Sequence, residues 1–422
     1  MDDETNISVA SRRSTTRGFG LLLAIAYLGF ISLGLPDPVA GVAWPSIRLE
    51  FGLQQSSFGL IFIGLGAGYC TSGFFGGKLT HLLGLGNLLW ISSALVAAAM
   101  FACGAAPAWG VIVAAAVIWG LGSGGIDAGL NAYVASHFSA RHMNWLHACY
   151  SLGATLGPLV MTAMILRLGS WRAGYFFVGA ALTLMAALFL ATRRRWDEPP
   201  PKLTGDAAET DSNETLEPNR VATHVGIREV LASRLVWLQI VLFFLYVGVE
   251  FTVGQWAFTI LTESRGVSER LAGALVGGYY GAIGIGRIAS GAIAPRVGLD
   301  RLLRLTMLVA LAGTLVYAFA GSLSIAGFQV SNLGLLLIGL GLAPIFPCLM
   351  ARTPERLGHD FAAHAVGFQV SGSMIGAAVV PSLAGLLAQR FGLESIALFT
   401  IVQAALIYIV HEALLASGRR VA

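Results

Sequence analysis

The chain has 422 residues, 56% of them hydrophobic and only 11% charged, with a net charge of +4. A water-soluble domain carries about 25% charged residues, so this composition excludes a soluble globular protein and requires lipid around the fold. The small net charge gives no footprint for nucleic acid. The four cysteines (Cys70, Cys103, Cys149 and Cys348) lie in apolar stretches without ligand spacing, so neither a metal site nor a cofactor is expected.

In chain order, a polar tail at 1–17, with no cleavable leader expected, precedes an N-terminal bundle at 18–195. A bilayer core of about 30 Å needs roughly 20 apolar residues per helix. That criterion predicts spans at 18–43, 55–80, 85–104, 108–136, 143–167 and 171–192. A linker at 196–229, containing PPPKLTGDAAETDSNETLEPN, is rich in Pro and acid and has no helical period, which predicts a disordered connection. A C-terminal bundle at 230–416 follows, with spans at 232–261, 270–295, 301–321, 327–351, 362–389 and 393–415, and a tail at 417–422. The expected fold class is all-α integral membrane, with about twelve transmembrane helices in two pseudo-symmetric six-helix halves.

Nineteen of the 26 Lys and Arg residues fall at the end of the bundle that carries the tails and the linker. Only Arg48, Arg167, Arg172, Arg265, Arg270 and Arg390 fall at the other, and Arg287 lies within a span. Positive residues favour the cytoplasmic side, so both termini are expected inside, in a plasma membrane (the inner membrane of a Gram-negative cell). The glycosylation triplet at Asn213 would then lie in a cytoplasmic loop and stay unused.

The halves can be overlaid. Gly77 and Gly84 after the second span match Gly291 and Gly298 after the eighth at an offset of 214. Gly153 and Gly157 match Gly372 and Gly376 at an offset of 219, as Gly120 and Gly122 match Gly339 and Gly341. Parallel six-plus-six repeats place a solute site near the bilayer midplane, between the halves.

The residues resemble the major facilitator superfamily, whose signature after the second span is Gly, an Asp four residues on, a basic residue and a second Gly. His81 and Leu82 replace the acid and the base in the first half, while the second half has Pro295 and Arg296. Three stretches resemble the fucose-permease-like group, which includes sodium-dependent glucose transporter homologues. They are Gly34-Leu-Pro-Asp37 running to Gly41-Val-Ala-Trp44-Pro45, then Asp127-Ala-Gly-Leu-Asn131, and Leu146-His147-Ala-Cys-Tyr150 running to Gly157-Pro158. The resemblance implies a monomeric secondary transporter working by alternating access, not an enzyme. Its partners are a small-molecule substrate, a coupling ion (a proton, with sodium as the alternative) and the bilayer.

Ionisable groups inside a span cost roughly 3 kcal/mol each, so they mark candidate sites. Asp37 lies between two prolines that break the first span. It either caps the broken helix or binds a proton or a sugar hydroxyl, and the resemblance favours the second. Asp127 and Asn131, four residues apart, share a helix face. They form either a packing pair or, as the resemblance implies for the acid, a proton-coupling site. His147 and Tyr150 share another face and line a cavity or pack. Glu250, Gln255 and Trp256 in the seventh span have the acid, amide and indole of a carbohydrate site, with Trp256 as an interfacial belt residue the alternative. Gln369 and one of Tyr279 and Tyr280, with Tyr280 preferred, would complete that wall. Arg287 and Arg296 are assigned to gating, with an internal pair near the cytoplasmic gate favoured for Arg287. The expected substrate site is therefore Trp44, Asn131, His147, Tyr150, Glu250, Gln255, Trp256, Tyr280 and Gln369, with Asp37 and Asp127 for the proton. The expected cargo is a neutral monosaccharide; the alternative is proton-driven efflux of amphipathic compounds.

Overall fold

The structure is a computed structural model and describes residues 20–138, 140–196, 227–321, 323–325 and 328–418. The tail at 1–17 and most of the linker lie outside these residues, with Arg12, Arg13, Arg17, Lys202, Asn213, Arg220, Arg419 and Arg420.

Long helices dominate. In the first half they are α1 (Gly20–Glu50), α2 (Gln55–Leu83), α3 (Leu85–Ala105), α4 (Trp109–His137), α5 (Ala140–Leu168) and α6 (Trp171–Thr192). In the second they are α7 (Arg234–Thr259), α8 (Glu269–Val297), α9 (Leu299–Phe319), α10 (Ser331–Leu357), α11 (His359–Phe391) and α12 (Glu394–Gly418). A short helix, Ile227–Ala232, precedes α7, and a two-strand hairpin pairing Ser324 with Gln329 follows α9. Eleven of the long helices are apolar enough to cross a membrane by composition. Helix α8 is 29 residues long, but its glycines, the Tyr279–Tyr280 pair and Arg287 lower its hydropathy. Large apolar side chains such as Phe74, Leu184, Phe319 and Ile409 are exposed on the outside of the bundle. Lipid contact accounts for that surface; water does not.

Proline shapes two helices. In α1 the turn at 35–38 interrupts the helix where Pro36 and Pro38 lack the N–H groups that would bond the carbonyls of Ser32 and Gly34. In α10 a similar turn falls at Ala343–Pro344. Both helices also run past their expected ends, from 43 to Glu50 and from 351 to Leu357. A helix ends where its caps and loop dictate, and neither is set by the apolar window.

The overlay of the halves is visible in the packing. A Cβ on Gly120 would strike Leu65 and Tyr69 of α2, and one on Gly339 would strike Tyr279 and Ala282 of α8. A Cβ on Gly153 would strike Ile31 of α1, and one on Gly372 would strike Ile240 of α7. Gly84 and Gly298 end α2 and α8 at φ of 78° and 82°, a region that favours glycine. Within each half the third and sixth helices pack together (α3 on α6, α9 on α12), and the halves meet along α2–α11, α5–α8 and α1–α7.

The two ends of that interface differ. At the end opposite the linker, Arg48 Nη2 donates to both carboxylate oxygens of Glu263 at 2.9 and 3.1 Å, and Gln55 reaches the same carboxylate at 3.1 Å. Gln389 donates to Gln54 at 2.6 Å, and Ser382 to the Gly59 carbonyl at 3.1 Å. Among the described residues, the hydrogen bonds joining the halves lie at this end or at mid-depth; none lies at the linker end. The bundle is closed at the far end.

Candidate functional site

Three carboxylates within the bundle, each from a different helix, are held by tyrosines. The break in α1 turns Asp37 towards α5, where Tyr150 Oη donates to its Oδ2 at 2.5 Å. In α4, Asp127 accepts from Tyr69 of α2 at 2.6 Å and from Asn131, one turn on, at 2.9 Å. In α7, Glu250 accepts from Tyr246, one turn earlier, through Oε2. Its other oxygen, Oε1, lies 3.6 Å from Nη2 of Arg287 on α8.

Two contacts join the halves at this depth. Gln255 Nε2 donates to the main-chain carbonyl of Asp37 at 2.8 Å. The broken turn supplies the acceptor, and Gly41 lets α7 approach close enough to reach it. Arg287 Nη1 donates to Ser151 Oγ at 3.3 Å, next to Tyr150. Adjacent residues of α5, Tyr150 and Ser151, therefore bring the Asp37 contact close to the Arg287–Glu250 pair. The Tyr279 hydroxyl is tied to the Glu250 carbonyl at 3.0 Å. The Tyr280 hydroxyl lies against Gly254 and bonds to no described residue. Of the pair, Tyr280 is the one with a free hydroxyl at this depth.

The structure thus brings together Asp37, Tyr150, Glu250, Gln255, Tyr280 and Arg287. Asp127 and Asn131 lie deeper towards the linker end, on their own pairing with Tyr69. His147 is half-buried, edge-on to Phe30 with centroids 5.6 Å apart, and its ring makes no hydrogen bond to a described residue.

Other expected site residues lie apart from this group in the structure. Trp44 is fully buried, stacked on Phe58 at 4.6 Å, with its indole N–H on Gln55 at 2.8 Å. Trp256 is equally buried, edge-on to Phe58, with its N–H on the Pro381 carbonyl at 3.0 Å. Both indoles pack on Phe58 and spend their N–H groups on internal partners, so in this structure neither offers a face to an open wall. Gln369 does not complete the wall either. It forms a buried cluster with Gln239 of α7 and Thr353 of α10, eleven residues along α7 from Glu250 towards the linker. Arg287 makes an internal pair, but at the depth of Glu250 instead of a gate. Arg296 is exposed and in no ion pair among the described residues. Near it, Asp300 takes Arg352 and Arg356 at 2.7 and 2.9 Å, and Arg304 takes Glu412 at 2.6 Å.

Tyr69, Tyr246 and Ser151 were missed by the sequence reading. Tyr246 was available from its four-residue spacing to Glu250; Tyr69 and Ser151 act across helices and carry no local signal. A separate cavity of about 330 Å³, lined by Arg265, Gln329, Glu394 and neighbours, lies at the far end of the second half, away from these carboxylates. Among the described residues no cluster of His, Cys, Asp or Glu could hold a metal ion.

Comparison with known proteins places this architecture. The chain is 22% identical over 289 residues to human sodium-dependent glucose transporter 1, a match covering 60% of this chain and 52% of that protein. It is 25% identical over 388 residues to the Cupriavidus necator protein named "Probable sulfoacetate transporter SauU", covering 88% of this chain and 86% of the relative. Among solved structures, the nucleoside transporter NupG aligns with a TM-score of 0.73 at 10% identity over 92% of this chain and 98% of its own. A D-xylose–proton symporter aligns at 0.71 and 16% identity over 92% and 96%. The transporter FucP in its outward conformation aligns at 0.60 and 18% identity over 94% and 99%. The Major Facilitator Superfamily model matches residues 19–381. The chain belongs to that superfamily of membrane transporters.

Proposed function

We propose that this transporter moves a monosaccharide-class solute together with a proton, by alternating access of a site between the halves. The observation that carries the reading is the facing of two differently partnered carboxylates across the midplane. Asp37 of the first half is held by a neutral tyrosine hydroxyl, and Glu250 of the second is held beside Arg287. A carboxylate with only neutral partners can take up and release a proton without leaving a cation unpaired. Tyr150, Tyr280 and Gln255 supply the mixed donors and acceptors that hydroxyls need. The similarity to a sodium-dependent glucose transporter and to a D-xylose–proton symporter supports a sugar.

In this reading the linker end, rich in Arg, is cytoplasmic, and the closed far end makes this the inward-facing conformer. Asp37 and Asp127 handle the proton. Gln255 ties the broken turn of α1 to α7 while the far end is shut, and it is released to the cargo when that end opens. The test is uptake of radiolabelled hexoses and pentoses by cells expressing the protein, with and without a protonophore. Concentrative uptake abolished by the protonophore supports the reading. Extrusion of hydrophobic dyes without sugar uptake contradicts it.

A further inference from the structure

Arg287 is held at its charge but not at its hydrogen bonds. A guanidinium presents five N–H donors in a planar fork. Here Nη1 reaches Ser151 at 3.3 Å, while Nη2 approaches Glu250 Oε1 only to 3.6 Å, beyond hydrogen-bond distance. Nε is buried and has no partner. Nε and Nη2 form one edge of the fork, with two parallel N–H groups aimed the same way; neither makes a hydrogen bond of ordinary length, although Glu250 and the Tyr246 side chain lie close by. Leaving a charged donor edge unfilled inside a membrane protein is costly. Glu250 does not fill it, because Oε2 is taken by Tyr246.

An edge of this kind matches a carboxylate in both spacing and charge. Polar atoms that suit hydroxyls lie farther along α7 and α8, one to two turns towards the far end. The Tyr280 hydroxyl bonds to no described residue, and Gln255 Oε1 is buried without a partner on a side chain that is 2% exposed. We propose that the cargo is a hydroxylated carboxylate of the sugar-acid class, docked through its carboxylate on the Nε–Nη2 edge of Arg287. This rests on the monosaccharide reading and replaces the neutral sugar expected from the sequence with an acidic one. Glu250 keeps Tyr246 when the cargo arrives. One guanidinium cannot neutralise two carboxylates, so the second charge is balanced by a proton carried in with the cargo.

The test uses the purified full-length protein and four probes: D-glucuronate, D-galacturonate, D-glucose and D-galactose, followed by thermal shift and titration calorimetry. At least one acid is expected to bind about tenfold tighter than its neutral parent. Arg287→Lys keeps the charge and loses the edge, so it should weaken binding of the acid far more than that of its neutral parent and erase the preference. Should Arg287→Lys fail to fold, Glu250→Gln supplies the second reading: removing the competing negative charge should raise the preference for the acids over their neutral parents. If neutral hexoses bind as tightly as the acids, or if the variants move both alike, the inference is overturned and the monosaccharide reading stands. If no probe binds but glycolate does, dependent on Arg287, the carboxylate edge survives and the sugar reading falls. If glycolate fails as well, both fall.

Discussion

In the first half, Asp37 and Asp127 accept tyrosine hydroxyls from Tyr150 and Tyr69, and neither carboxylate forms an ion pair among the described residues. In the second half, Glu250 also accepts a tyrosine hydroxyl, from Tyr246, but faces Arg287. The scaffolds are alike down to the glycines that let helices cross, so the difference lies in what the acids are given as partners. A neutral partner tolerates either protonation state of the acid; a cation does not, because losing its counter-charge strands it in a poor dielectric. This is the physical basis for assigning proton handling to the first half and cargo anchoring to the second.

The largest test of this contrast is Glu250→Ala, which leaves Arg287 without its counter-charge and should cost about 3 kcal/mol of stability. Thermal unfolding in detergent reads it directly, and a Glu250→Ala/Arg287→Met double variant should recover most of the loss. A single variant as stable as the wild type would mean the pair is not the anchor described. Asp37→Asn comes next. Removing an acid without a cation should leave the fold intact but reduce concentrative uptake about tenfold, the usual scale of a coupling free energy between two sites. Equal loss of downhill exchange would show that Asp37 binds cargo instead of coupling ions. Gln369→Leu should cost about 1 kcal/mol by unpairing Gln239 and Thr353 and leave the cargo profile unchanged; an altered profile would return Gln369 to the site. The smallest effect belongs to Arg48→Ala. A partly exposed pair contributes about 0.5 kcal/mol, so labelling of a cysteine placed at Ser382 should quicken only about twofold.

Much of the fold was legible because lipid imposes a length and a polarity on every span. The apolar-length criterion is enough to mark α8 as a span, although Arg287 and two tyrosines dilute it. Helix ends were less legible: α1 and α10 continue through polar residues to Glu50 and Leu357, since the bilayer does not terminate a helix. In the site, Asp37, Asp127 and Glu250 stood out because charge is rare in apolar sequence. Tyr150 stood out beside His147, though not as the partner of Asp37, whereas Tyr69 and Tyr246 did not, because tyrosine is unremarked there and the Tyr69 contact crosses between helices. Trp44, Trp256 and Gln369 have internal partners that the sequence does not show, for a related reason. Residue type suggests sugar recognition, but packing across helices decides whether an indole or amide meets the cavity.

The most direct test of the account is uptake into proteoliposomes under an imposed pH gradient, comparing the wild type with Asp37→Asn and Asp127→Asn. The wild type should accumulate a monosaccharide-class solute against its gradient, while in both variants that accumulation should fall about tenfold. Accumulation that persists in both variants, or that follows a sodium gradient and ignores pH, would contradict proton handling by the first half.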